Sequence, residues 1–342
     1  MGGNALKNIQ TRRYTADEFA ALAPQVLATL KTTFPASRVE LVRAYRKKVS
    51  FGDMDVLVES IGLPADVGVA LTEAFRPNQL VRNGSVWSLD VRELQVDLVF
   101  CPPDEFQTSA DYFAWNDLGN LVGRIAHGMG FKYGHKGLLY PLRASATHWV
   151  EDVLVTRDRA AMLSFLGFDR AGADGDRFEQ GFDTLEDMFA FVAGSRYFDP
   201  ALYPLEAQSH TARTRDRKRP TYNAFLRWVA EQEPAVGVDG VSVRDKAFHL
   251  GRSVSMFESF AVRLDHARRE LVRRQAARSA FNGHLVSAET GLHGKYLGEF
   301  MAWVRSSFPG GPDKFTAWAA ETGRRESEVT RQIGSWFREY TS

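Results

Sequence analysis

Two short segments that combine apolar residues with acids, FGDMDVLVES at residues 51–60 and RELQVDLVFC at 92–101, constrain the fold more than any other part of the sequence. Side chains at positions i and i+2 of a β-strand point to the same face of a sheet. Asp53 and Asp55 therefore project together, whereas the apolar residues between and after them point the other way. The second segment alternates in the same manner and sets Asp97 opposite its apolar face. The pattern predicts two strands, each with a core face and an acidic face.

The three acids of these segments meet at one point if the two strands are neighbours. Acids are costly to bury in a sheet unless something pairs with them, and adjacent anions raise one another's pKa values. A divalent cation removes that conflict, and oxygen ligands suit Mg²⁺ or Mn²⁺. Two such ions clamp the attacking and leaving oxygens of a phosphoryl transfer, so the acids predict a two-metal site. The alternative is that Asp53 and Asp55 lie in a surface loop, where an Asp-x-Asp sequence is common.

The order of the predicted elements indicates an α+β fold. Up to about residue 150, strand-like and helical segments alternate, and Asn83-Gly84 is a strong hairpin signal. Beyond that point, apolar residues recur mainly at helical spacing. We expect a mixed β-sheet with helices, followed by an all-α domain. The expected divisions are a first domain at 1–148, a small subdomain at 149–205 and a helical domain at 206–342.

Individual helices are predicted from the same periodicity. They cover residues 16–31, 116–130 and 184–194, and a long helix is expected at about 253–278. The stretch at 210–222 is basic and poorly periodic, which is typical of a linker between domains.

The charge of the chain is almost balanced, with 43 basic residues against 42 acidic ones and a formal net charge of +1. A basic surface for nucleic acid would therefore have to be local. The only cysteine, Cys101, excludes an internal disulfide and a cysteine-rich zinc site. No apolar run approaches the roughly 20 residues that a membrane helix needs. We expect a monomeric cytoplasmic protein with no membrane partner.

Four segments occur in an order that is found in one enzyme family. GDMDVLV at 52–58 and VDLVF at 96–100 are followed by YFAWNDLGNLVGRIA at 112–126 and GFDTLEDMFAFVAGSRYFDP at 181–200. Together they resemble the nucleotidyltransferase superfamily, and specifically DNA polymerase beta and its relatives, over about residues 20–205.

The resemblance implies a metal role for the three acids. In that family a Gly-Asp-x-Asp strand and an Asp in a later strand hold two Mg²⁺ or Mn²⁺ ions. The matching residues here are Gly52, Asp53, Asp55 and Asp97. Asp53 and Asp55 would bridge both ions, and Asp97 with one ion would lower the pKa of the attacking hydroxyl.

The resemblance also implies a nucleotide pocket. Tyr112 and Phe113 match the residues that line the sugar pocket of the family. The helix that follows would turn one face towards the base. That face carries Asp117, Asn120 and Arg124 at positions i, i+3 and i+7.

Some family features are missing from this sequence. The Gly-Ser that usually precedes the acidic strand and binds a terminal phosphate is replaced by Val42-Arg43, and Gly-Ser in the sugar segment is replaced by Trp115-Asn116. We expect Arg43, Arg46 and Lys47 to neutralise the triphosphate by charge instead. The sequence also lacks a counterpart of the amino-terminal helical DNA-binding domains of polymerase beta, so another segment is expected to hold the acceptor.

Candidate acceptor segments lie in the later part of the chain. The basic stretch at 213–219 would either clamp a phosphate backbone or form a solvated linker. Its basic residues are Arg213, Arg215, Arg217, Lys218 and Arg219. The glycine-rich segment at 281–304 is similar to one in the helical body of tRNA nucleotidyltransferases and bacterial poly(A) polymerases. The arginines on the helix at 253–278 are expected to form a solvated face, and His127 and His135 are interpreted as structural.

These observations predict transfer of a nucleotide from an NTP or dNTP to the 3′-hydroxyl of a nucleic acid, with release of pyrophosphate. A compact DNA polymerase similar to polymerase beta is the favoured form. The alternatives are an enzyme that completes the 3′ end of tRNA, and a catalytically inactive nucleic-acid-binding module of the same fold. A toxin-like transferase that acts on protein is a more distant option.

Overall fold

The computed structural model describes residues 5–168, 173–232, 241–322 and 326–342. The chain divides into two compact units. The first comprises Met1–Pro141 and Leu154–Phe260, and the second comprises Leu142–Val153 and Ala261–Ser342.

Strands and helices alternate in the first half of the chain, and helices follow. The strands are β1 (Tyr14–Thr15), β2 (Val39–Leu41), β3 (Ser50–Phe51), β4 (Asp53–Glu59), β5 (Leu80–Asn83), β6 (Val86–Val91), β7 (Leu94–Cys101), β8 (Lys132–Gly134), β9 (Gly137–Arg143) and β10 (Trp149–Thr156). The helices are α1 (Ala16–Thr33), α2 (Val67–Phe75), α3 (Pro103–Phe113), α4 (Leu118–Gly128), α5 (Arg159–Phe165), α6 (Ala173–Gln180), α7 (Leu185–Ala193), α8 (His210–Asp216), α9 (Pro220–Val229), α10 (Lys246–Met256), α11 (Glu258–Ala280), α12 (Gly283–Thr290), α13 (Gly294–Ser307), α14 (Gly311–Thr322) and α15 (Glu326–Thr341). Two 3₁₀ turns, Pro200–Leu202 and Leu205–Ala207, precede α8.

A five-stranded mixed sheet with the order β2-β4-β7-β6-β5 forms the centre of the first unit. β4 and β7 are parallel, whereas the other neighbouring strands are antiparallel. One face packs with α1 and α2 around a core that includes Met54, Val56 and Val58 of β4. The other face packs with α3 around Leu57 and Val99. The expected α+β class, a mixed sheet followed by helices, is confirmed.

Two tight turns join β5, β6 and β7 into consecutive antiparallel strands. Gly84 is the first residue of the β5–β6 turn and has a φ of 61°, as a hairpin turn with a glycine at its first central position requires. Arg92 and Glu93 connect β6 to β7 with φ values of 50° and 70°. Because two-residue loops with positive φ match the twist of the strands, they fix the register of β7.

The structure differs from the sequence interpretation in the helical regions. The stretch at 210–222 is not a linker, because it contains α8 and the start of α9. Ser209 begins α8 by accepting a hydrogen bond from the backbone N–H of Ala212. The long helix expected at 253–278 is two helices, since the backbone leaves the helical conformation at Phe257.

The compact units also have other boundaries than the divisions at 148 and 205 expected from the sequence. Residues 206–260 belong to the first unit, and residues 142–153 belong to the second. The reason for the first difference is that α8 and α9 contact α4 and α7 rather than leading away from them.

Helices α12–α15 and the end of α11 enclose an aromatic core in the second unit. Phe281 meets Phe315 edge to face, with ring centroids 5.1 Å apart. Among the helices of the described residues, none is long and apolar enough to cross a membrane.

Candidate active site

The parallel pairing of β4 and β7 brings the predicted acids together. Asp55 lies directly opposite Asp97. Asp53 lies opposite Gln95, two residues closer to the start of both strands. Neighbouring strands are about 4.8 Å apart, and residues at i and i+2 share a face. All three carboxylates therefore project from one face at the start of the two central strands.

Asp55 has an unfavourable environment for a charged carboxylate. Burial and, to a smaller extent, the charges of Asp53 and Asp97 together raise its pKa to about 7. Its Oδ1 atom is buried and accepts no hydrogen bond from any described residue. A buried oxygen in that position is costly unless a donor or a cation reaches it.

Asp97 is held in place by its neighbours. The side-chain amide of Gln95 donates hydrogen bonds of 2.9 Å to both of its carboxylate oxygens. Burial raises the pKa of Asp97, and the hydrogen bonds from Ser88 and Gln95 act in the opposite direction. Asp97 is 2% exposed, so its orientation is fixed before any ligand arrives.

The donor set fits a divalent cation in its chemistry. All three side chains supply oxygen, which Mg²⁺ and Mn²⁺ prefer as a ligand atom. The Oδ1 atom of Asp55 accepts no hydrogen bond from a described residue and could therefore act as a metal ligand. In the described part of the chain, however, no group of three or more His, Cys, Asp or Glu side chains is arranged to hold an ion. Gln95 donates one hydrogen bond to each oxygen of Asp97, and a carboxylate has further acceptor sites beyond those two. The strand pairing therefore brings the three acids to one face of the sheet, but their carboxylates do not form a set of ligands around a single point.

Lys48 is a charged neighbour of the acids that the sequence interpretation did not single out. Burial lowers its pKa, and the charges of Asp53 and Asp55 oppose that effect. Its Nζ lies 4.4 Å from the ring centroid of Phe51. The signal in the sequence was its place as the last of three basic residues in the turn at 46–48.

The arginines expected to bind phosphate are paired with acids in the structure. Arg43 lies 3.5 Å from Asp111 and 3.0 Å from Glu179. Arg46 pairs with Asp183 and donates to the backbone carbonyl of Gln180. A phosphate would have to displace these partners before either guanidinium could bind it.

Lys47 and Gly52 complete the expected phosphate side of the site. Lys47 is exposed, and only its backbone N–H is engaged, with the carbonyl of Asp183 at 2.9 Å among the described contacts. A Cβ on Gly52 would come within 2.8 Å of the Arg13 guanidinium, so the glycine gives the chain room in front of Asp53.

The turn at Trp115-Asn116 has a backbone shape that favours glycine. Trp115 and Asn116 have φ values of 61° and 59°. Such values are uncommon for residues with a side chain and cost energy. The Trp115 ring packs edge to face on Phe182 and lies under Arg43. Gly181 has a φ of 80°, and a Cβ there would lie 2.4 Å from the Trp115 ring.

Tyr112 and Phe113 lie at the end of α3 and are half-buried. The Tyr112 ring meets Phe113 and Tyr133 edge to face, with centroids 5.3 Å apart in both cases. Burial raises the pKa of Tyr112. Phe113 stacks on His135 at 6.2 Å.

The sequence predicted that one face of α4 lies against the nucleotide base. In the structure that face instead contacts α8 and Arg219, the residue before α9. Asn120 accepts a hydrogen bond of 2.9 Å from Arg215, Arg124 forms an ion pair with Asp216, and Asp117 forms one with Arg219. Asp216 is fully buried. Burial alone would raise its pKa, but the charges of Arg215 and Arg124 outweigh that and lower it.

This set of contacts, which we call the α4–α8 network, joins two groups of predicted site residues. Its members are Asp117, Asn120, Arg124, Arg215, Asp216 and Arg219. Arg213, just before them, donates to the carbonyls of Leu205 and Gln208, whereas Arg217 and Lys218 are exposed. Three of the five predicted nucleic-acid-binding residues, Arg213, Arg215 and Arg219, are thus engaged within the first unit.

A cavity of about 160 Å³ lies beside the α4–α8 network in the first unit. Residues around it include Tyr112, Asn120, Arg124, Lys132, Tyr133 and Arg215. The aromatic and cationic walls are suited to an anionic ligand with a flat ring.

Comparison of the chain with models of known protein families and with curated proteins finds no match. The resemblance to the nucleotidyltransferase superfamily therefore rests on the motifs and on the geometry described above.

Proposed function

We propose that this protein is a metal-dependent nucleotidyltransferase that adds a nucleotide from an NTP or dNTP to the 3′-hydroxyl of a nucleic acid and releases pyrophosphate. One observation carries the proposal. Asp55 and Asp97 are directly paired on parallel strands with Asp53 two residues away, and a buried oxygen of Asp55 has no partner among the described residues.

The three acids would hold two Mg²⁺ or Mn²⁺ ions, which would stabilise charge on the transferred phosphoryl group and activate the attacking hydroxyl. Gln95 would keep the carboxylate of Asp97 oriented through its amide. Lys48 would add positive charge beside Asp53 and Asp55, where the negative charge of a triphosphate would otherwise be repelled.

The nucleotide would occupy the space on the same side of the sheet as Tyr112 and Phe113. Lys47 is exposed and suited to contact the outer phosphates. Arg43 and Arg46 would join it by exchanging Glu179 and Asp183 for phosphate oxygens. That exchange would couple nucleotide binding to movement of the segment at 179–183.

A polymerase-beta-like DNA polymerase is the favoured form, and tRNA 3′-end synthesis is the alternative. The motif order from Tyr112 to Arg124 supports the first. Two observations support the second alternative, a catalytically inactive module of the same fold. Arg43 and Arg46 are already paired with acids, and no group of the described residues is arranged to hold a metal.

One experiment separates these functions. The protein is incubated with Mg²⁺ or Mn²⁺ and each labelled NTP and dNTP, together with either primed DNA or tRNA that lacks its 3′ end. We expect metal-dependent extension, and we expect Asp53→Ala, Asp55→Ala and Asp97→Ala each to lower its rate at least about thousandfold while the protein stays folded. Near wild-type activity in any one of these variants at saturating metal would contradict the assignment of the acids. No extension of any acceptor would favour the inactive module.

A further inference from the structure

A groove in the second unit concentrates arginine at a place that the proposed catalytic site does not use. It lies between α11 and the end of α14 and has a volume of about 520 Å³. The α11 residues that line it are Arg268, Arg269, Val272, Arg273 and Ala276, and the α14 residues are Ala320 and Glu321. The α11 positions are spaced i, i+1, i+4, i+5 and i+8, so they share one side of the helix.

The three groove arginines are only weakly committed to protein acids. Arg268 is exposed and forms no hydrogen bond or ion pair with any described residue. Arg269 pairs with Asp265 at 2.9 Å, but both side chains are more than 60% exposed, and such pairs contribute little. Arg273 pairs with Glu270 at 2.7 Å, and its Nε is buried with no partner among the described residues.

The local charge stands out from that of the chain. Residues 268–278 contain five arginines and one acid, whereas the whole protein has a formal net charge of +1. Such a concentration produces a local positive field that attracts phosphate. Arginine is also the side chain whose fork matches phosphate oxygens.

The apolar part of the groove adds a second kind of contact. Val272 is 65% exposed although it lies between arginines, and the small side chains of Ala276 and Ala320 face the same space. A ligand with phosphates on one side and less polar sugar atoms on the other would satisfy both parts of the lining. Glu321 would repel phosphate at the α14 rim and so direct it towards the arginines of α11.

We propose that this groove binds the phosphate backbone of the acceptor nucleic acid, an inference that rests on the function proposed above. Arg268 and Arg273 are five residues apart, or about 7.5 Å along the helix axis. Phosphates of one strand of B-form DNA follow one another about every 3.4 Å along its axis, so the two backbone positions are separated by about the axial rise of two nucleotides. The contacts are with phosphate and sugar, so the groove binds without regard to sequence.

The test compares two double variants that remove the same charge from the same helix. R268Q/R269Q removes two of the three positive charges that line the groove. R274Q/R278Q removes two exposed arginines of α11 that do not line it. Binding of labelled single-stranded and primed oligonucleotides is measured by fluorescence anisotropy at several salt concentrations in EDTA, so that no transfer takes place. Circular dichroism melting of each variant checks that the fold is retained.

We expect R268Q/R269Q to raise Kd about tenfold and to flatten the dependence of log K on log salt by about 1.4 to 1.8. The R274Q/R278Q control should change Kd less than about twofold. Equal effects of the two pairs would mean a general charge effect and would overturn the proposal, as would no effect of R268Q/R269Q or no binding by the wild type. Displacement of the oligonucleotide by micromolar ATP or inorganic phosphate would show a site for a small phosphate ligand and would also overturn it.

The groove and the proposed function fail in distinguishable ways. Nucleotide incorporation with an unchanged KM for the acceptor in R268Q/R269Q would overturn the groove and leave the proposed function standing. If R268Q/R269Q weakens oligonucleotide binding but the wild type incorporates no nucleotide, the groove proposal stands and the proposed function is overturned.

Discussion

Two clusters of charged residues in the first unit are built in opposite ways, although the sequence pointed to both as functional. The acid cluster, Asp53, Asp55 and Asp97, brings like charges together, and one buried oxygen of Asp55 has no partner among the described residues. In the α4–α8 network, by contrast, the buried Asp216 is matched by Arg124 and Arg215.

The difference separates buried charges that are paired with opposite charges from like charges that are brought together. In the network opposite charges face one another, so removing one partner of the buried pair is costly, although the Nε of Arg124 is buried without a partner among the described residues. A cluster of like charges costs stability until a cation arrives, and residues of that kind are concentrated at functional sites. We therefore expect substitutions in the two clusters to have opposite effects on stability.

The largest effect on stability is expected from Asp216→Ala. This change leaves Arg124, whose side chain is 11% exposed, without its buried counter-ion. Removing one partner of a buried pair typically costs about 3–5 kcal/mol, and we expect a loss in that range in the free energy of unfolding from urea titration. A loss below about 1 kcal/mol would show that the α4–α8 network does not hold the two helices together.

The opposite sign is expected from Asp55→Asn in metal-free buffer. Because the change removes a buried charge that Asp53 and Asp97 repel, the free energy of unfolding at pH 7 should rise by about 1–2 kcal/mol. Mg²⁺ should raise the melting temperature of the wild type but not that of the variant. Asp183→Asn, which removes an exposed acid of the same unit, is the control and should leave the Mg²⁺ effect intact. A destabilised Asp55→Asn protein would contradict the contrast between the clusters.

Acid should weaken the α4–α8 network. The folded pKa of Asp216 lies below its unfolded value, so its contribution is complete above about pH 4 and is lost as the pH falls through the folded pKa. Wild-type stability should therefore fall more steeply than that of Asp216→Asn below about pH 4. Parallel pH profiles of the two proteins would mean that the pairing contributes no pH-dependent stability.

The smallest effect is expected from Arg217→Ala/Lys218→Ala. Both side chains are exposed next to the network without belonging to it, so the free energy of unfolding should change by less than about 0.5 kcal/mol. If these residues contact phosphate, the same variant should flatten the salt dependence of oligonucleotide binding by about one unit for each lost contact. A stability loss as large as that of Asp216→Ala would erase the distinction between α8 residues inside and outside the network.

The sequence was sufficient to predict the sheet that carries the acids. Strict alternation in β7 and the apolar run in β4 report burial directly, and Asp55 and Asp97 therefore appear on the predicted face. The strand pairing itself depended on the resemblance, since no local signal states which strands are neighbours. The two turns of positive φ, at Gly84 and at Arg92-Glu93, fix the pairing of β5, β6 and β7 but not that of β4 with β7.

The α4–α8 network could not be predicted, because its partners lie about 90 residues apart in the sequence. A basic stretch such as 213–219 has the same composition whether it is solvated, binds phosphate or pairs with acids of another helix. The burial of Asp216 decides between these possibilities for Arg215, and that burial is a tertiary property. The same argument applies to Arg43 and Arg46, whose acidic partners at 179 and 183 lie in a distant segment.

Titration of Mn²⁺, followed by the electron paramagnetic resonance of the free ion, tests most directly whether the acid cluster is a metal site. The wild type is compared with Asp55→Asn, Asp97→Asn and Glu59→Gln, which removes an acid from the other end of β4. We predict that the wild type and Glu59→Gln bind Mn²⁺ alike, and that Asp55→Asn and Asp97→Asn each bind it at least about tenfold more weakly. Equal Mn²⁺ binding by all four proteins would contradict the account.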